Sequence, residues 1–269
     1  MKEGPIASAP SNGSHLSLCI LASGSKGNAI YFSDGTTAIL VDAGLSGKEI
    51  ERRLQSRGLS AETLDAIVVS HEHSDHIQGV GVLSRRYDLP VYMNRKTRNA
   101  SPRLGNIKDL REFVCGSTFR INEMRIHPFS ISHDAGDPSG FTIGQNGIKI
   151  GLATDLGVAT ALVKEHLAGC QMLILEANHD PRMLEIGPYP WPLKQRIKSR
   201  SGHLSNEESK TLLQELRHEG LEHVVLAHLS ETNNTPDKAR SVVGEALEQS
   251  TIRLSVASQS ESGELLFLK

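Results

Sequence analysis

The chain has 269 residues, of which 38% are hydrophobic and 22% are charged, a composition that is ordinary for a globular protein. This length is enough for one large domain or two small ones, and it requires no second hydrophobic core. The formal net charge of −2 gives the whole molecule no attraction for nucleic acid or for an anionic membrane, so a polyanion would need a local basic patch. We find no apolar run of about 18 residues and no secretory leader, which excludes a membrane span and predicts a cytoplasmic protein.

The N-terminal residues and the cysteines indicate how the chain is organised. Residues 1–14 are rich in Gly, Pro, Ser and Ala, which predicts a disordered tail. A single domain is then expected over residues 15–269. The cysteines Cys19, Cys115 and Cys170 are odd in number and far apart, which indicates reduced thiols in the core and not metal ligands.

The first predicted elements form a β-meander that leads into a helix. Strands are expected at Leu16–Leu21, Ala29–Phe32 and Thr37–Val41. Ser46 with Glu49 predicts a capping box at the start of the following helix. Asp42, at the end of the third strand, is either a partner of a metal-binding histidine or a simple turn residue.

The next strand leads into the most informative stretch of the sequence, His71-Glu72-His73-Ser74-Asp75-His76. It follows the apolar run Ala66–Val69, and the spacing of the apolar residues after it predicts a helix. In an extended segment alternate residues point the same way, so His71 and His73 can face one ion while Asp75 and His76 face a second. The other interpretation is three surface histidines in a polar turn, but this spacing at the end of a strand rarely arises by chance.

The second half of the chain alternates strands with helices. Strands are predicted between Phe113 and Ile131 and between Phe141 and Leu152, and at Met172–Leu175 and His223–Ala227. Helices are predicted at Ala159–Leu167 and, behind a capping box of Ser205 with Glu208, at Ser205–His218. A last helix begins at Thr235-Pro236. Two β-rich runs, each followed by helices, predict two facing sheets with helices outside.

Three further metal-competent residues follow predicted strands. His133, Asp155 and His228 each come just past a strand, where a side chain can reach a shared sheet edge. Each alone is more typical of a polar residue at the end of a loop. Together with the histidine motif they predict one metal centre.

The histidine motif resembles the signature of the metallo-β-lactamase superfamily. That resemblance implies a four-layer αββα fold of mixed α/β class. It also implies one metal site formed by His71, His73 and His133, a second formed by Asp75, His76 and His228, and Asp155 bridging the two. Histidine and carboxylate ligands suit zinc, manganese or iron equally, so the identity of the two divalent ions stays open.

Other segments are similar to those of one branch, the YycJ (WalJ) family of bacterial metallo-β-lactamase-fold proteins. They are Ser23–Asn28, Thr154–Gly157, Glu176–Asp180, Tyr189–Pro190, Leu193–Ile197, Gly202–Asn206, His228–Glu231 and Asn233–Asn234. The resemblance runs from about Leu18 to the end of the chain. It implies a metal-dependent 5′-to-3′ exonuclease on double-stranded DNA, in which a hydroxide held by the two ions attacks phosphorus.

The resemblance also implies catalytic residues. A glutamate, Glu176, would orient His203, which would contact the phosphate and protonate the leaving oxygen. Glu176 could instead have no role beyond supporting a metal ligand. His179 could take the role of Glu176 or of His203, or it could merely form a hydrogen bond within its turn. Asp75 is expected to act in catalysis as well as in metal binding.

Substrate binding is predicted for two segments. Ser25 and Asn28 lie in the loop Ser23–Asn28, which is either a phosphate-facing loop or a glycine-rich hairpin turn. Lys194 and Arg196 belong to a basic interval that is either a groove for a nucleic-acid backbone or an exposed basic helix. His203, two residues before a capped helix, is expected beside an anion site at the helix N-terminus.

Three alternative functions stay open at this stage. A small-molecule hydrolase acting on a thioester, lactone or cyclic nucleotide would use the same metal pair. A diiron redox protein usually carries glutamate at the second histidine of the motif, and His73 argues against it. A catalytically silent binding module is disfavoured by the complete ligand set. DNA is the expected partner, no membrane is expected, and the oligomeric state is open.

Overall fold

The computed structural model describes residues 16–102 and 104–268, so the predicted tail, residues 1–14, lies outside the described residues. The first sheet, sheet 1, has seven strands in the order β14-β1-β2-β3-β4-β5-β6. These are β1 (Leu16–Ala22), β2 (Ala29–Ser33), β3 (Ala38–Val41), β4 (Ala66–Val68), β5 (Val91–Asn94), β6 (Leu110–Phe113) and β14 (Leu266–Leu268). The pairs from β14 to β3 are antiparallel and those from β3 to β6 are parallel.

Sheet 2 repeats this plan with seven strands in the order β13-β12-β11-β10-β9-β8-β7. They are β7 (Phe119–Ile121), β8 (Met124–Ser130), β9 (Ser139–Gln145), β10 (Ile148–Ala153), β11 (Met172–Glu176), β12 (His223–Ala227) and β13 (Arg253–Val256). The pairs from β7 to β10 are antiparallel and those from β10 to β13 are parallel.

Nine α-helices lie among the described residues. They are α1 (Gly47–Gln55), α2 (Ser74–Ile77), α3 (Val80–Tyr87), α4 (Arg95–Ala100), α5 (Ala161–Leu167), α6 (Pro181–Ile186), α7 (Trp191–Ile197), α8 (Asn206–Leu216) and α9 (Pro236–Gly244), with short 3₁₀ helices at Ala61–Thr63 and Glu245–Leu247. None of the helices in the described part of the chain is both long enough and apolar enough for a bilayer crossing.

Three apolar cores explain the layering. The central core joins the inward side chains of both sheets, such as Phe32 of β2 and Phe141 of β9. A second core packs the outer face of sheet 1 against α1 and α3, and a third packs the outer face of sheet 2 against α5, α8 and α9. The predicted four-layer αββα fold is therefore confirmed. The shared central core supports one domain over the described residues.

Two local predictions need correction. Ser46 caps α1 by accepting a hydrogen bond from the Glu49 backbone N–H, but the Glu49 carboxylate binds Arg52 and Arg53 instead of closing a capping box. The edge strands β13 and β14 were not predicted from sequence. Cys19 and Cys170 are buried as expected, whereas Cys115 is only half-buried against the central core.

Candidate metal centre

The candidate site lies where the parallel strands of both sheets end. Asp42 follows β3, the histidine motif follows β4, Asp155 follows β10 and His228 follows β12. Ligand sites in α/β proteins form at the carboxyl ends of parallel strands for the same topological reason. Asp42, Asp155 and His228 have φ values of 61°, 56° and 55°, and this left-handed conformation, uncommon for residues other than glycine, turns the chain directly after the strand.

Close backbone packing brings the motif onto the neighbouring loops. A side-chain carbon added to Gly44 would lie 1.6 Å from the Asp75 carbonyl oxygen, so only glycine allows this approach. The Asn28 N–H donates to the same carbonyl at 2.7 Å, and the Ala43 N–H donates to the His76 carbonyl at 2.8 Å. These contacts fix the turn from which the motif side chains project.

His71, His73 and His133 converge as the sequence predicts. Their candidate ligand atoms all lie within 4.8 Å of one another. His71 Nε2 and His73 Nδ1 are 3.2 Å apart, close to the separation of about 3.3 Å expected for two nitrogens on one tetrahedral zinc ion. His133 Nδ1 donates to the Gly202 carbonyl at 3.2 Å, which turns its Nε2 toward the other two rings.

A second group consists of Asp75, His76 and His228, whose candidate ligand atoms also lie within 4.8 Å of one another. Asp155 lies between the two groups, with Oδ2 3.4 Å from His76 Nε2 and Oδ1 3.3 Å from His228 Nε2 and 3.8 Å from His133 Nε2. Asp155 Oδ2 and His228 Nε2 are buried atoms without a hydrogen-bond partner. Buried polar atoms are almost always satisfied, so these two atoms fit a cation.

Two buried carboxylates set the orientation of the histidines. His76 Nδ1 donates to Asp42 Oδ2 at 2.8 Å, and His228 Nδ1 donates to Glu176 Oε1 at 2.9 Å. With Nδ1 committed to a carboxylate, each ring presents the Nε2 lone pair to the centre, which is how metal-binding histidines are held. The predicted contact between Asp42 and the histidine motif is present.

Glu176 also holds His203, as the sequence predicts. His203 Nδ1 donates to Glu176 Oε1 at 2.8 Å, and Oε2 accepts the backbone N–H groups of Leu156 and Leu204. Glu176, His203, Asp155 and His228 also satisfy the 4.8 Å limit as a group. Because the Nδ1 atoms of His203 and His228 are hydrogen-bonded to Glu176, this carboxylate is better suited to orienting the rings than to binding an ion.

The electrostatics of the cluster favour a cation. Burial and the neighbouring histidine rings hold the pKa of His71 well below its usual value, so His71 stays neutral, the form that binds metals. For His76, burial opposes protonation, but the carboxylates of Asp155 and Asp42 outweigh it and raise the pKa to about 9. Burial would raise the pKa of Asp155, yet the facing rings, first His228, lower it. The carboxylates that favour a protonated His76 favour any positive charge between the rings.

An open cavity of about 170 Å³ lies against this centre. It is lined by Ser25, Asp134, Asn178, Tyr189, Leu193, Arg196, Ile197, Gly202, His203, His228 and Ser230. Three of the predicted substrate-binding residues, Ser25, Arg196 and His203, therefore face it. Arg196 Nε also forms an ion pair with Asp134 Oδ2 at 2.5 Å, which ties α7 to the loop of His133.

Asn28, Lys194 and His179 are among the predicted residues that do not line the cavity. Asn28 is buried, where its amide bonds the Gly24 backbone and lies 3.0 Å from His76 Nε2. Lys194 Nζ donates to the Glu185 carbonyl. His179 is buried, and burial lowers its pKa to about 4.

The predicted anion site at the N-terminus of α8 needs correction. Ser205 and Glu208 form a complete capping box there, and the Asn206 N–H donates to the His179 carbonyl. Because the helix supplies its own acceptors, including a carboxylate, its terminus offers little to an external anion. His203 is left as the group that can meet an anion at this edge.

Sequence reasoning missed part of the site. It did not identify Asp134 as the partner of Arg196, nor the second bond of Glu176 to His228. It also assigned no role to Tyr189, Leu193 and Ile197, which form one wall of the cavity. The spacing i, i+4 of Leu193 and Ile197 was the sequence signal that could have predicted this wall.

Comparisons with known proteins agree with this geometry. The model of the β-lactamase superfamily domain matches residues 37–229. The exodeoxyribonuclease YycJ of Bacillus anthracis is 41% identical over 237 residues, which cover 87% of this chain and 90% of the relative. The exodeoxyribonuclease WalJ of Streptococcus pneumoniae is 38% identical over 242 residues, which cover 88% of this chain and 90% of the relative.

Among solved structures, the metallo-β-lactamase fold protein YhfI from Bacillus subtilis is similar with a TM-score of 0.74. The match covers 95% of this chain and 100% of that chain at 18% sequence identity, a level that speaks for the fold alone. Together with the two relatives, the converging histidines and the four-layer fold lead to one assignment. The chain belongs to the β-lactamase superfamily and, within it, to the YycJ/WalJ family.

Proposed function

We propose that this protein is a metal-dependent exonuclease that hydrolyses phosphodiester bonds of double-stranded DNA in the 5′-to-3′ direction. The observation that supports it most is the convergence of seven side chains on one sheet edge beside an exposed cavity with His203 in its wall. The names of the two relatives that match along nine-tenths of their length supply the substrate class. These full-length matches do not favour the small-molecule alternative.

The proposed metal ligands follow the two groups described above. His71, His73 and His133 would hold one divalent ion, Asp75, His76 and His228 would hold the other, and Asp155 would contact both. The donor set fits, because the two unpartnered buried atoms, Asp155 Oδ2 and His228 Nε2, lie within it. Nitrogen and oxygen donors without a thiolate suit zinc, manganese or iron. When bound, the two divalent metal ions would supply a nucleophile at neutral pH and would offset negative charge on the phosphoryl oxygens.

The remaining steps belong to side chains of the chain itself. Because His203 Nδ1 donates to Glu176, its Nε2 is the atom that can meet a phosphate oxygen in the cavity. A protonated Nε2 would give its proton to the leaving oxygen. Asp42 and Glu176 hold His76 and His228 in the ligand tautomer. Asn28 positions the histidine motif through its backbone N–H, which donates to the Asp75 carbonyl. We assign Asn28 this positioning role instead of a contact with substrate.

Digestion of an end-labelled DNA duplex tests the proposed function. We expect shortened products from protein supplied with manganese, zinc or iron, and none after chelation. His73→Ala should reduce cleavage to background because it removes a proposed ligand. His166→Ala is the matched control, since that half-buried ring stacks on Phe129 outside the site. If the duplex survives under all three metals while metal is bound, the nuclease proposal is wrong.

DNA binding is proposed to use the basic side chains of α7. Arg196→Ala should weaken binding and lower the slope of log affinity against log salt by about 0.9 for one lost phosphate contact. Lys194→Ala should change the slope less, because Lys194 is tied to the Glu185 carbonyl. Arg253→Ala is the control, because Arg253 begins β13, which runs parallel to β12, and so lies at the end of the strands opposite to His228. Equal slopes for Arg196→Ala and Arg253→Ala would contradict the proposal.

The cytoplasm is proposed as the location. The three cysteines are free in the structure, as expected in a reducing compartment. Cell fractionation followed by immunoblotting tests this, and recovery outside the cytoplasmic fraction would contradict it.

A further inference from the structure

The cavity beside the metal centre has a lining of two chemical kinds. The polar part includes His203, His228, Asn178 and Ser25. The apolar part, here called the apolar wall, consists of Tyr189, Leu193 and Ile197, which come from α7 and the residues just before it. A nucleotide has the same division between a charged phosphate and a flat apolar base.

The apolar wall is separate from the apolar cores that hold the fold together. Tyr189, Leu193 and Ile197 belong to none of the three apolar cores found among the described residues. Tyr189 is half-buried, so part of its ring stays accessible from the cavity. An aromatic side chain kept out of the cores at the edge of a catalytic cavity is typical of a binding surface.

The backbone presents this ring in a restricted conformation. Tyr189 lies between Pro188 and Pro190. The proline ring fixes φ of Pro188, and Pro190 disfavours a helical conformation at Tyr189. Gly202 lets the segment pack closely, since an added side-chain carbon would lie 2.1 Å from the Ile197 carbonyl oxygen. A preorganised ring loses little conformational freedom when a ligand binds.

The size of the cavity limits what can enter. Its volume of about 170 Å³ is far too small to hold the width of a DNA duplex, whereas part of one nucleotide fits. A terminal nucleotide is therefore the part of a DNA substrate that can enter the cavity and bring its phosphate to His203.

We propose that Tyr189 stacks on the base of the terminal nucleotide of the degraded strand and thereby holds the phosphate of that nucleotide against His203. This inference rests on the proposed nuclease function and names the part of the DNA that the cavity binds. Leu193 and Ile197 would contact the remaining apolar face of the nucleotide. Stacking tolerates any base, so little sequence preference is expected.

Substrates with and without a terminal base test the stacking. The first duplex has one open end, and the second is identical except that both terminal nucleotides at that end are abasic, so digestion polarity does not matter. Tyr189→Ala should lower kcat/KM on the first duplex roughly 5- to 150-fold, as loss of one base stack does. On the abasic duplex it should lower kcat/KM less than about twofold.

Three further variants keep the test decisive. Tyr189→Phe should retain activity because the ring is sufficient, and Tyr189→Leu should lose it while preserving the packing of the segment. Trp191→Ala is the matched control, since Trp191 is exposed and lies roughly 200° around α7 from Leu193. It should leave the ratio between the two duplexes unchanged.

The contrary outcomes are distinguishable. An equal loss on both duplexes for Tyr189→Ala, or a base-dependent loss for Trp191→Ala, would overturn the role of Tyr189 while leaving the nuclease function intact. If the unaltered protein cleaves neither duplex under any of the metals, the proposed function fails and this inference fails with it.

Discussion

Replacing Asp155 with alanine is expected to abolish DNA cleavage and to lower metal content in the same preparation. Asp155 is buried among the rings. Its oxygens face His76 and His228 of one proposed site, and Oδ1 also faces His133 of the other. Losing several kcal/mol of charge stabilisation corresponds to a rate loss of roughly 10³-fold or more. Metal analysis after desalting, together with the duplex assay, measures both effects.

Asp109→Ala is the control for this variant. Asp109 is an acid with a partly exposed side chain that pairs with Arg111 and contacts none of the proposed ligands. We expect this control to retain metal and activity. Full activity of Asp155→Ala, or equal metal loss in both variants, would contradict a carboxylate shared by two ions.

Replacing Glu176 with glutamine is expected to damage two functions at once. The Glu176 carboxylate accepts four hydrogen bonds, two from ring N–H groups and two from backbone N–H groups, and the backbone N–H groups can act only as donors. A glutamine side chain would place an NH₂ group, which donates hydrogen bonds, where one of the accepting oxygens of Glu176 now lies, so some of these hydrogen bonds would be lost. Burial would raise the pKa of Glu176, but the facing His203 and His228 lower it, so the residue is a carboxylate at neutral pH.

We expect Glu176→Gln to lower kcat/KM roughly 10²- to 10⁴-fold, the contribution of a well-placed acid–base group. It should also weaken metal affinity roughly 10- to 100-fold through His228. His203→Ala separates the two effects, since it should lower kcat with unchanged metal affinity. Metal titration and steady-state kinetics on both variants measure the difference. A Glu176→Gln protein with normal metal affinity would show that His228 needs no carboxylate partner.

Local sequence patterns were sufficient for much of the fold. The apolar runs of β1, β4 and β12 and the capping box of α8 are signals that neighbouring residues carry on their own. The edge strand β14 was missed because it pairs with β1, about 250 positions away in the chain. Such a pairing depends on the tertiary arrangement, and a three-residue strand carries no turn signal of its own.

The candidate site shows the same difference between local sequence signals and long-range contacts. The side chains that follow strands could be predicted, because the carboxyl ends of parallel strands meet at one edge. The contact of Glu176 with His228 and that of Arg196 with Asp134 could not, since the two residues of each pair are separated by 52 and 62 positions. The role of Asn28 was also missed, because burial of a loop side chain depends on the loop that packs over it.

The most direct measurement is the number of metal ions per chain at which nuclease activity is complete. Metal-stripped protein would be titrated with manganese or zinc while bound metal and duplex cleavage are measured on the same samples. We expect cleavage to rise mainly with the second equivalent and to be complete at two ions per chain. Full cleavage with one ion per chain, or with none, would contradict the proposed two-metal nuclease.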